Sequence, residues 1–260
     1  GDFVMARGVP SKGFRMTAKR KAELATVETK PSRFSVSDRF KFINQFVQMI
    51  GAKKTNSMII TGDPGLGKSY AVVQNLVKLN MREILLDNDG DFIVIKGFST
   101  PRALYNTLYE YNGKVIVFDD ADAIHKDPTA SNILKAALDS GANRILTWNT
   151  SRADRDDDVP SRFEFTGQCI FISNMTIREF PQALLSRSYC VDLTLTLSEK
   201  LDRIDMVIHD YPGNTREVMK FFRDNAHEFK DVSIRSALSV LKLANSVKDW
   251  YNLAMYTMTV

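Results

Sequence analysis

The sequence is poor in cysteine and histidine and has no long apolar run, and each shortage excludes a class of protein. Its 260 residues include two cysteines, Cys169 and Cys190, and three histidines. Neither set has the spacing of a zinc site or a redox pair, so we expect reduced thiols and no structural metal. No apolar stretch approaches the roughly 18 residues of a membrane span, and no apolar signal core opens the chain. We therefore expect a cytoplasmic protein without a membrane partner.

The sequence also lacks an excess of charge over most of its length. The net charge is +4, and residues 1–30 account for all of it with seven basic and three acidic side chains. We interpret residues 1–33 as a basic, flexible N-terminal arm. Such an arm has two alternative roles, the binding of nucleic acid and the solubilisation of the chain.

From Phe34 onward, amphipathic helices alternate with short apolar strands. The predicted strands are Met58–Thr61, Phe92–Lys96, Lys114–Phe118, Gln168–Ser173 and Tyr189–Leu193. The helices predicted before and between them are Arg39–Ile50, Lys68–Asn80, Arg102–Tyr111 and Ala130–Ser140. Ser37 is expected to cap the first helix. Nearly continuous apolar strands separated by helices are typical of a sheet that is buried on both faces. The pattern predicts an α/β fold with a doubly wound parallel sheet.

The pattern changes near Leu197, after which the periodicity predicts helices alone. These helices are Glu199–His209, Thr215–Asn225, Ile234–Ser246 and Lys248–Tyr256. We therefore divide the ordered chain into a core domain at 34–197 and a small all-helical C-terminal domain at 198–260, which we call the lid.

The most specific motif lies between the first predicted strand and the helix that follows it. Gly62-Asp63-Pro64-Gly65-Leu66-Gly67-Lys68-Ser69, here called the P-loop, matches G-x-x-x-x-G-K-[ST]. Its glycines let backbone N–H groups turn onto a phosphate, and the helix that begins at Lys68 adds the positive end of its dipole. Lys68 is expected to reach the β- and γ-phosphates, and the Ser69 hydroxyl to ligate Mg²⁺. The motif predicts a site for ATP and Mg²⁺ made of these residues and Tyr70.

An acidic element follows the third predicted strand, in which Val115-Ile116-Val117-Phe118 precede two carboxylates. Asp119 is expected to hold Mg²⁺ through its water shell, and Asp120 to orient and polarise the attacking water. The alternative is a turn that caps a helix. Because a P-loop lies upstream, we favour the catalytic interpretation and predict an ATPase that converts ATP and water to ADP and phosphate.

In their order, the motifs resemble those of the AAA+ ATPases. The P-loop and Phe118-Asp119-Asp120-Ala121-Asp122 are followed by Ile170-Phe171-Ile172-Ser173-Asn174, then by Leu184-Leu185-Ser186-Arg187-Ser188, and finally by the helical segment. The resemblance covers about residues 34–250 and depends on the order of all five pieces. It implies a five-stranded AAA+ core and a helical lid, with the nucleotide between them at the carboxyl end of the sheet.

The resemblance also implies roles for residues outside the P-loop. Asn174 occupies the place of the family's sensor 1, which positions the attacking water. Arg187 looks like the arginine that reaches the γ-phosphate of the adjacent subunit, and Arg178 is the alternative. The sensor 2 arginine of the lid has two candidates, Arg235 and Arg216, of which we prefer Arg235.

One position departs from the family pattern, in which Glu usually follows the magnesium-binding Asp. This chain has Asp120 there, and the shorter side chain moves the carboxylate by about 1.5 Å, the length of one C–C bond. Displacements of about 1 Å are enough to change a catalytic rate strongly. We expect slow hydrolysis or a need for a partner, so a slow ATP-gated assembly switch is one alternative.

The sequence says less about the molecule on which the ATPase acts than about the reaction it catalyses. Residues 144–148 and 162–165 are predicted to pair as a hairpin, which the resemblance suggests is a pore element, with a solvated loop as the alternative. Phe98 is either a pore aromatic or a core residue.

The chain looks similar to compact AAA+ ATPases of phages and mobile elements. This resemblance implies a homo-oligomer, either a hexameric ring or a helical assembly, that acts on nucleic acid as a motor or loader. The other alternative is a protein-remodelling module with a protein partner.

Overall fold

The computed structural model describes residues 32–97, 100–141, 143–149 and 158–260. The predicted N-terminal arm up to residue 31, Phe98 and residues 150–157 of the predicted hairpin tip lie outside these ranges. Within them, no helix is both long enough and apolar enough to cross a membrane.

Five of the seven strands in the described ranges form a parallel sheet. In chain order the strands are β1 (Ser57–Gly62), β2 (Phe92–Lys96), β3 (Val115–Asp119), β4 (Ile145–Thr147), β5 (Arg162–Glu164), β6 (Gln168–Ser173) and β7 (Tyr189–Leu193). The order across the sheet is β2-β3-β6-β1-β7, and every pairing between these neighbours is parallel. All five predicted core strands are confirmed, with ends that differ by no more than one residue.

The helices alternate with these strands in the first two thirds of the chain. They are α1 (Val36–Gly51), α2 (Lys68–Lys78), α3 (Pro101–Glu110), α4 (Ala123–Lys126), α5 (Pro128–Ala137), α6 (Gln182–Leu185), α7 (Leu197–Ile208), α8 (Thr215–Asn225), α9 (Ile234–Ser246) and α10 (Trp250–Thr259). Short 3-10 turns lie at Ile177–Glu179 and Ala226–Glu228.

The N-cap predicted for the first helix was wrong. Ser35, not Ser37, caps α1, because its hydroxyl accepts a hydrogen bond from the Asp38 N–H while the Asp38 carboxylate accepts one from the Ser35 N–H. This reciprocal capping box needs an acid three residues after the cap, and the residue three after Ser37 is Phe40.

Helices cover both faces of the sheet, which confirms the doubly wound fold class. Successive residues of a strand point to opposite faces, and Ile59 and Ile60 in the interior strand β1 show the consequence. Ile59 belongs to an apolar cluster with residues of α3 and α5, such as Leu104 and Leu134. Ile60 belongs to a second cluster with residues of α1 and α2, such as Val47.

The predicted hairpin is confirmed as the antiparallel pair β4 and β5, in which Leu146 lies opposite Phe163. Its base packs on α3, because the Tyr105 ring lies 5.2 Å from that of Phe163 and 5.6 Å from that of Trp148 between centroids. The Arg144 guanidinium is buried and donates to the carbonyls of Ala137 and Gly167. It therefore holds the hairpin to the body of the protein and is not presented to solvent.

From Leu197 onward every regular element in the chain is a helix or a 3-10 turn. The four helices α7 to α10 enclose an apolar cluster of their own, which includes Ile204, Phe222, Leu241 and Ala254. The Thr196 hydroxyl and the Glu199 carboxylate form a capping box at the start of α7. This all-helical segment follows the sheet as the predicted fold class requires.

Candidate functional site

The P-loop has a backbone that only glycine adopts easily at three of its positions. Gly62, Gly65 and Gly67 have φ values of 138°, 74° and 87°. A Cβ atom on Gly62 would lie 2.4 Å from the Leu193 carbonyl oxygen, and one on Gly65 would lie 2.7 Å from the Ser233 Cβ atom. The loop therefore depends on glycine for both its curvature and its close packing.

The Lys68 ammonium is nearly buried, and the P-loop itself holds it. Its Nζ atom donates to the carbonyl oxygens of Gly62 at 2.7 Å and Asp63 at 2.6 Å, and to Asn174 Oδ1 at 3.2 Å. Burial lowers the pKa of Lys68 to about 8, against the opposing attraction of Asp63 and then Asp119. A buried cation held only by neutral oxygens is costly, so an anion at this loop would stabilise it.

The end of β3 carries the predicted pair of carboxylates. Asp120 has a left-handed backbone with φ 56°, and its N–H donates to the Ile172 carbonyl oxygen at 3.0 Å. Asp is one of the few residue types other than glycine that tolerate this region. The Ser173 hydroxyl donates to the Asp122 carboxylate, which links the ends of β3 and β6. The turn thus fixes the backbone from which Asp119 and Asp120 project.

A cavity of about 590 Å³ joins the P-loop to the ends of neighbouring strands and to the lid. The loop and the start of α2 contribute Pro64, Gly65, Gly67, Lys68, Ser69 and Tyr70 to its lining. The strand ends and α9 contribute Lys96, Asp119, Asp120, Asn174, Ile234 and Arg235. Both residues of the acidic pair therefore line the same space as the P-loop lysine and serine.

Three P-loop residues do not line the cavity and have structural contacts instead. Gly62 packs against β7, as described above. Leu66 is fully buried in a small cluster with Val36 and Leu195. The Asp63 carboxylate pairs with the Lys200 ammonium at 2.8 Å.

Arg187 lies at the opposite edge of the sheet from the cavity, immediately before β7. Its carbonyl oxygen accepts a hydrogen bond from the Ser57 hydroxyl at the first residue of β1. Its guanidinium donates to the Ala183 carbonyl oxygen at 2.8 Å and lies 3.9 Å from the Asp139 carboxylate. Arg178, the alternative candidate, is exposed in the 3-10 turn after β6.

The two sensor 2 candidates occupy different places. Arg235 is the second residue of α9, is exposed, and lines the cavity. Arg216 is the second residue of α8, is exposed, and is not part of the cavity lining. The start of α9 contacts the P-loop directly, because the Ile234 N–H donates to the Gly65 carbonyl oxygen at 2.8 Å.

Residues of α7 that sequence reasoning missed also contact the P-loop. Arg203 Nε donates to the Leu66 carbonyl oxygen at 3.1 Å, and its guanidinium carbon lies 3.7 Å from the centroid of the Phe40 ring. Burial lowers the pKa of Arg203. Glu199, four residues earlier on the same face, pairs with the buried Arg39 at 2.7 Å. Because Glu199 and Arg203 are four residues apart in a predicted helix, the sequence indicated that they share one face of it. It did not indicate which residues they contact.

The comparisons with known proteins agree with this architecture. No family model matches the chain. A protein of Enterobacteria phage T4, described as an uncharacterized 36.7 kDa protein in the nrdC-mobD intergenic region, is 28% identical over 226 residues, which cover 78% of this chain and 68% of the phage protein.

Two solved structures from Thermotoga maritima resemble the chain at 14% identity. A mutant of RuvB matches with a TM-score of 0.54 over 86% of this chain and 69% of RuvB. Domain III of the replication initiation protein DnaA matches with a TM-score of 0.51 over 87% of this chain and 95% of that domain. At this identity the matches show a shared fold, which is the AAA+ fold expected from the sequence.

Proposed function

We propose that the protein binds ATP and Mg²⁺ in the cavity beside the P-loop and hydrolyses the nucleotide. The observation that carries this proposal is the meeting of Lys68, Ser69, Asp119, Asp120 and Asn174 around one cavity at the carboxyl edge of a parallel sheet. Ligands of doubly wound folds bind at this edge.

The residues around the cavity fit a magnesium nucleotide. The P-loop has glycine where an added Cβ atom would meet Leu193, Ser233 or Arg203, so only glycine allows this curvature of the loop, and Lys68 supplies a cation that is held by neutral oxygens. Ser69 and Asp119 offer the oxygen ligands that Mg²⁺ prefers. Among the described residues, no group of three or more His, Cys, Asp or Glu forms a metal site by itself. We infer that phosphate oxygens and water complete the magnesium shell, where the bound metal offsets phosphate charge.

We assign the remaining groups of the cavity as follows. Asp120 orients and polarises the attacking water, and Asn174 assists it from the end of β6. The Lys68–Asn174 hydrogen bond connects the phosphate side of the cavity with the water side. Tyr70 and Arg235 contact the nucleotide from α2 and from the lid, with Arg235 as sensor 2 in preference to Arg216.

We further propose that the active form is a homo-oligomer, either a hexameric ring or a helical assembly, in which Arg187 serves the cavity of an adjacent copy. Its place at the amino edge of the sheet, away from the cavity of its own chain, supports this role. A guanidinium supplied by a neighbour would offset charge that develops on the transferred phosphoryl group. Residues 1–33, 34–197 and 198–260 would act in this assembly as arm, core and lid.

The favoured target is nucleic acid, in the phage type of DNA metabolism within a bacterial cytoplasm. Support comes from the T4 relative and from the DnaA domain, which belongs to a replication initiation protein. The basic arm and the hairpin would supply the contacts. The neutral charge of the rest of the chain keeps a protein-remodelling role with a protein partner as the alternative.

The experiment that tests the proposal is ATP turnover against protein concentration, with and without single- and double-stranded DNA. Steep concentration dependence with stimulation by DNA is the expected result. Concentration dependence without any effect of DNA would favour the protein-remodelling alternative. ATP binding without turnover would point to the slow switch, and binding of no nucleotide would contradict the proposal.

The slow switch is supported by Asp120, whose carboxylate is one methylene shorter than that of Glu. If this shortening limits the rate, Asp120→Glu should raise kcat roughly tenfold, since a displacement near 1 Å has effects of this order or larger. A fall in kcat would show instead that the shorter carboxylate suits the left-handed backbone at this position. Single-turnover assays at saturating ATP would measure the change in the chemical step.

A further inference from the structure

A second lysine faces the candidate nucleotide cavity and has no role in the proposed mechanism so far. Lys96 is the last residue of β2, is exposed, and lines the cavity together with Lys68 and the two carboxylates. It lies outside the P-loop, on the edge strand of the sheet, with β3 and β6 between its strand and β1.

The sheet register directs Lys96 toward the cavity. Lys96 is paired with Asp119, and paired residues of neighbouring parallel strands point to the same face. Two residues earlier, Val94 and Val117 are paired and belong to the apolar cluster on the side of α1 and α2. Lys96 and Asp119 continue that face, so their side chains project on the side from which α2 and Ser69 line the cavity.

The Lys96 ammonium is not used by the fold. None of the ion pairs or side-chain hydrogen bonds between residues of the described ranges involves it, whereas Lys68 has three acceptors. Its donors therefore remain for an anion in the cavity. An ammonium carries three donors and no acceptor, which suits it to phosphate oxygens.

The order of the strands gives the position of Lys96 along a bound nucleotide. The P-loop follows β1, and β6, β3 and β2 lie successively farther from it. Asn174 directly follows β6, and Asp119 and Lys96 are the last residues of β3 and β2. A nucleotide whose β-phosphate lies in the P-loop would extend its terminal phosphate toward the ends of β6 and β3. We propose that Lys96 binds this terminal phosphate from within the same chain, opposite Lys68, and so distinguishes nucleoside triphosphate from diphosphate. The proposal presupposes the nucleotide site proposed above.

The test compares the binding of Mg·ADP with that of Mg²⁺ and the non-hydrolysable analogue AMP-PNP by calorimetric titration. The variant is Lys96→Met, which keeps an unbranched side chain of similar size and removes the charge. It is measured with Arg187→Ala also present, so that the arginine proposed to act from a neighbouring copy does not contribute. We expect AMP-PNP to bind about tenfold more weakly, the order for one lost charge-assisted hydrogen bond, and ADP to change less than about twofold.

Two further variants are controls. Lys96→Arg keeps the charge and should keep most of the preference for the triphosphate. Lys78→Met removes the same charge from the exposed last residue of α2, outside the cavity, and should leave both affinities unchanged. Normal ADP binding by Lys96→Met would also show that the variant is folded.

The outcomes separate this inference from the proposed function. Suppose that the Arg187→Ala parent binds both nucleotides. If Lys96→Met then lowers the affinity for neither nucleotide, or lowers both affinities equally, Lys96 does not recognise the terminal phosphate. If the protein without any substitution binds neither nucleotide, the proposed nucleotide site is itself wrong, and the role of Lys96 is wrong with it.

Discussion

The two edges of the central sheet use charged residues in different ways. At the carboxyl edge, Lys68 is 5% exposed and is held by carbonyl oxygens, and Asp120 has a left-handed backbone. At the amino edge, the side chain of Arg187 is 32% exposed and rests against Ala183 and Asp139. Buried charge and an unusual backbone mark the edge that we assign to the nucleotide, whereas the other edge presents one arginine at the surface.

With the roles proposed above, each chain would carry two halves of a site, one at each edge of its sheet. Groups that must enclose a phosphate are fixed by the loop and by strand ends, at a cost in desolvation. A group that acts on another copy must instead be able to leave its own contacts. The Asp139 interaction of Arg187 is long, at 3.9 Å, and such exposed pairs contribute little to stability.

The largest expected effect is at the carboxyl edge. Lys68→Ala removes the buried cation from the P-loop and should lower nucleotide affinity by at least about 100-fold, because a charge-assisted contact to phosphate is lost in a desolvated site. Calorimetric titration with Mg·ADP measures the loss. Lys78→Met is the matched control, and unchanged affinity in Lys68→Ala would contradict the assignment of the P-loop.

At the amino edge, Arg187→Ala should lower kcat by about 100-fold or more and leave ADP affinity within about twofold, as expected when a group acts only on the transition state. Arg178→Ala is the comparison variant, because Arg178 is the alternative candidate. A loss of ADP affinity without a loss of kcat would contradict the role of Arg187.

A mixture of two variants tests whether the two edges act together in one site. Lys68→Ala keeps an intact amino edge, and Arg187→Ala keeps an intact carboxyl edge. If the two edges meet across an interface between copies, a mixture of these two inactive proteins should regain part of the turnover. Turnover that stays at the level of the separate variants would show that the edges do not complement each other.

The sheet could be predicted from the sequence because its strands are nearly continuous apolar runs with turns between them. Ile59 and Ile60 are both apolar, which is expected only when both faces of a strand are covered. The position of Asp119 and Asp120 could be predicted for a related reason, since a charge directly after such a run is expected at a strand end. Lys96 is also a charged residue directly after an apolar run, at the end of β2, but it was not identified as a site residue from the sequence.

Contacts between core and lid were beyond sequence reasoning. Lys200 and Arg203 lie on a helix that also presents acidic residues, so their charges are typical of a solvated face. The acceptor of Arg203 is the backbone carbonyl of Leu66. Because every residue has such a carbonyl, the sequence does not indicate which one accepts the hydrogen bond. The cap of α1 was a different case, because Ser35 and Asp38 contained the capping-box pattern in the sequence itself.

A smaller effect follows from the depressed pKa of Lys68, about 8 against 10.5 for an ordinary lysine. Phosphate binding needs the charged form, so affinity should fall as pH rises above 8, by about tenfold per unit until the pKa of the bound state is reached. The unfolded chain holds this proton up to higher pH than the folded one. Burial of Lys68 therefore lowers stability fully below pH 8, and this cost is relieved as pH rises toward 10.5.

Titration of Mg·ADP affinity between about pH 7 and pH 9.5 would test this prediction, with a buffer series of constant ionic strength. Arg187 is proposed to act on the transition state and not on bound ADP, so the amino edge should contribute no change. Affinity that is flat across pH 8 would show that the loop does not depress the pKa of Lys68 in solution.

The smallest expected effect concerns the contact of α7 with the P-loop. Arg203→Ala removes a hydrogen bond to the Leu66 carbonyl oxygen and the contact of the guanidinium with the Phe40 ring. We expect the free energy of unfolding to fall by about 1–2 kcal/mol, from a charged hydrogen bond and a cation–π contact in a half-buried place. Arg216→Ala, at an exposed position on α8, should change it by less than about 0.5 kcal/mol. Urea unfolding measures both variants. Equal effects would mean that the Arg203 contact of α7 does not support the P-loop.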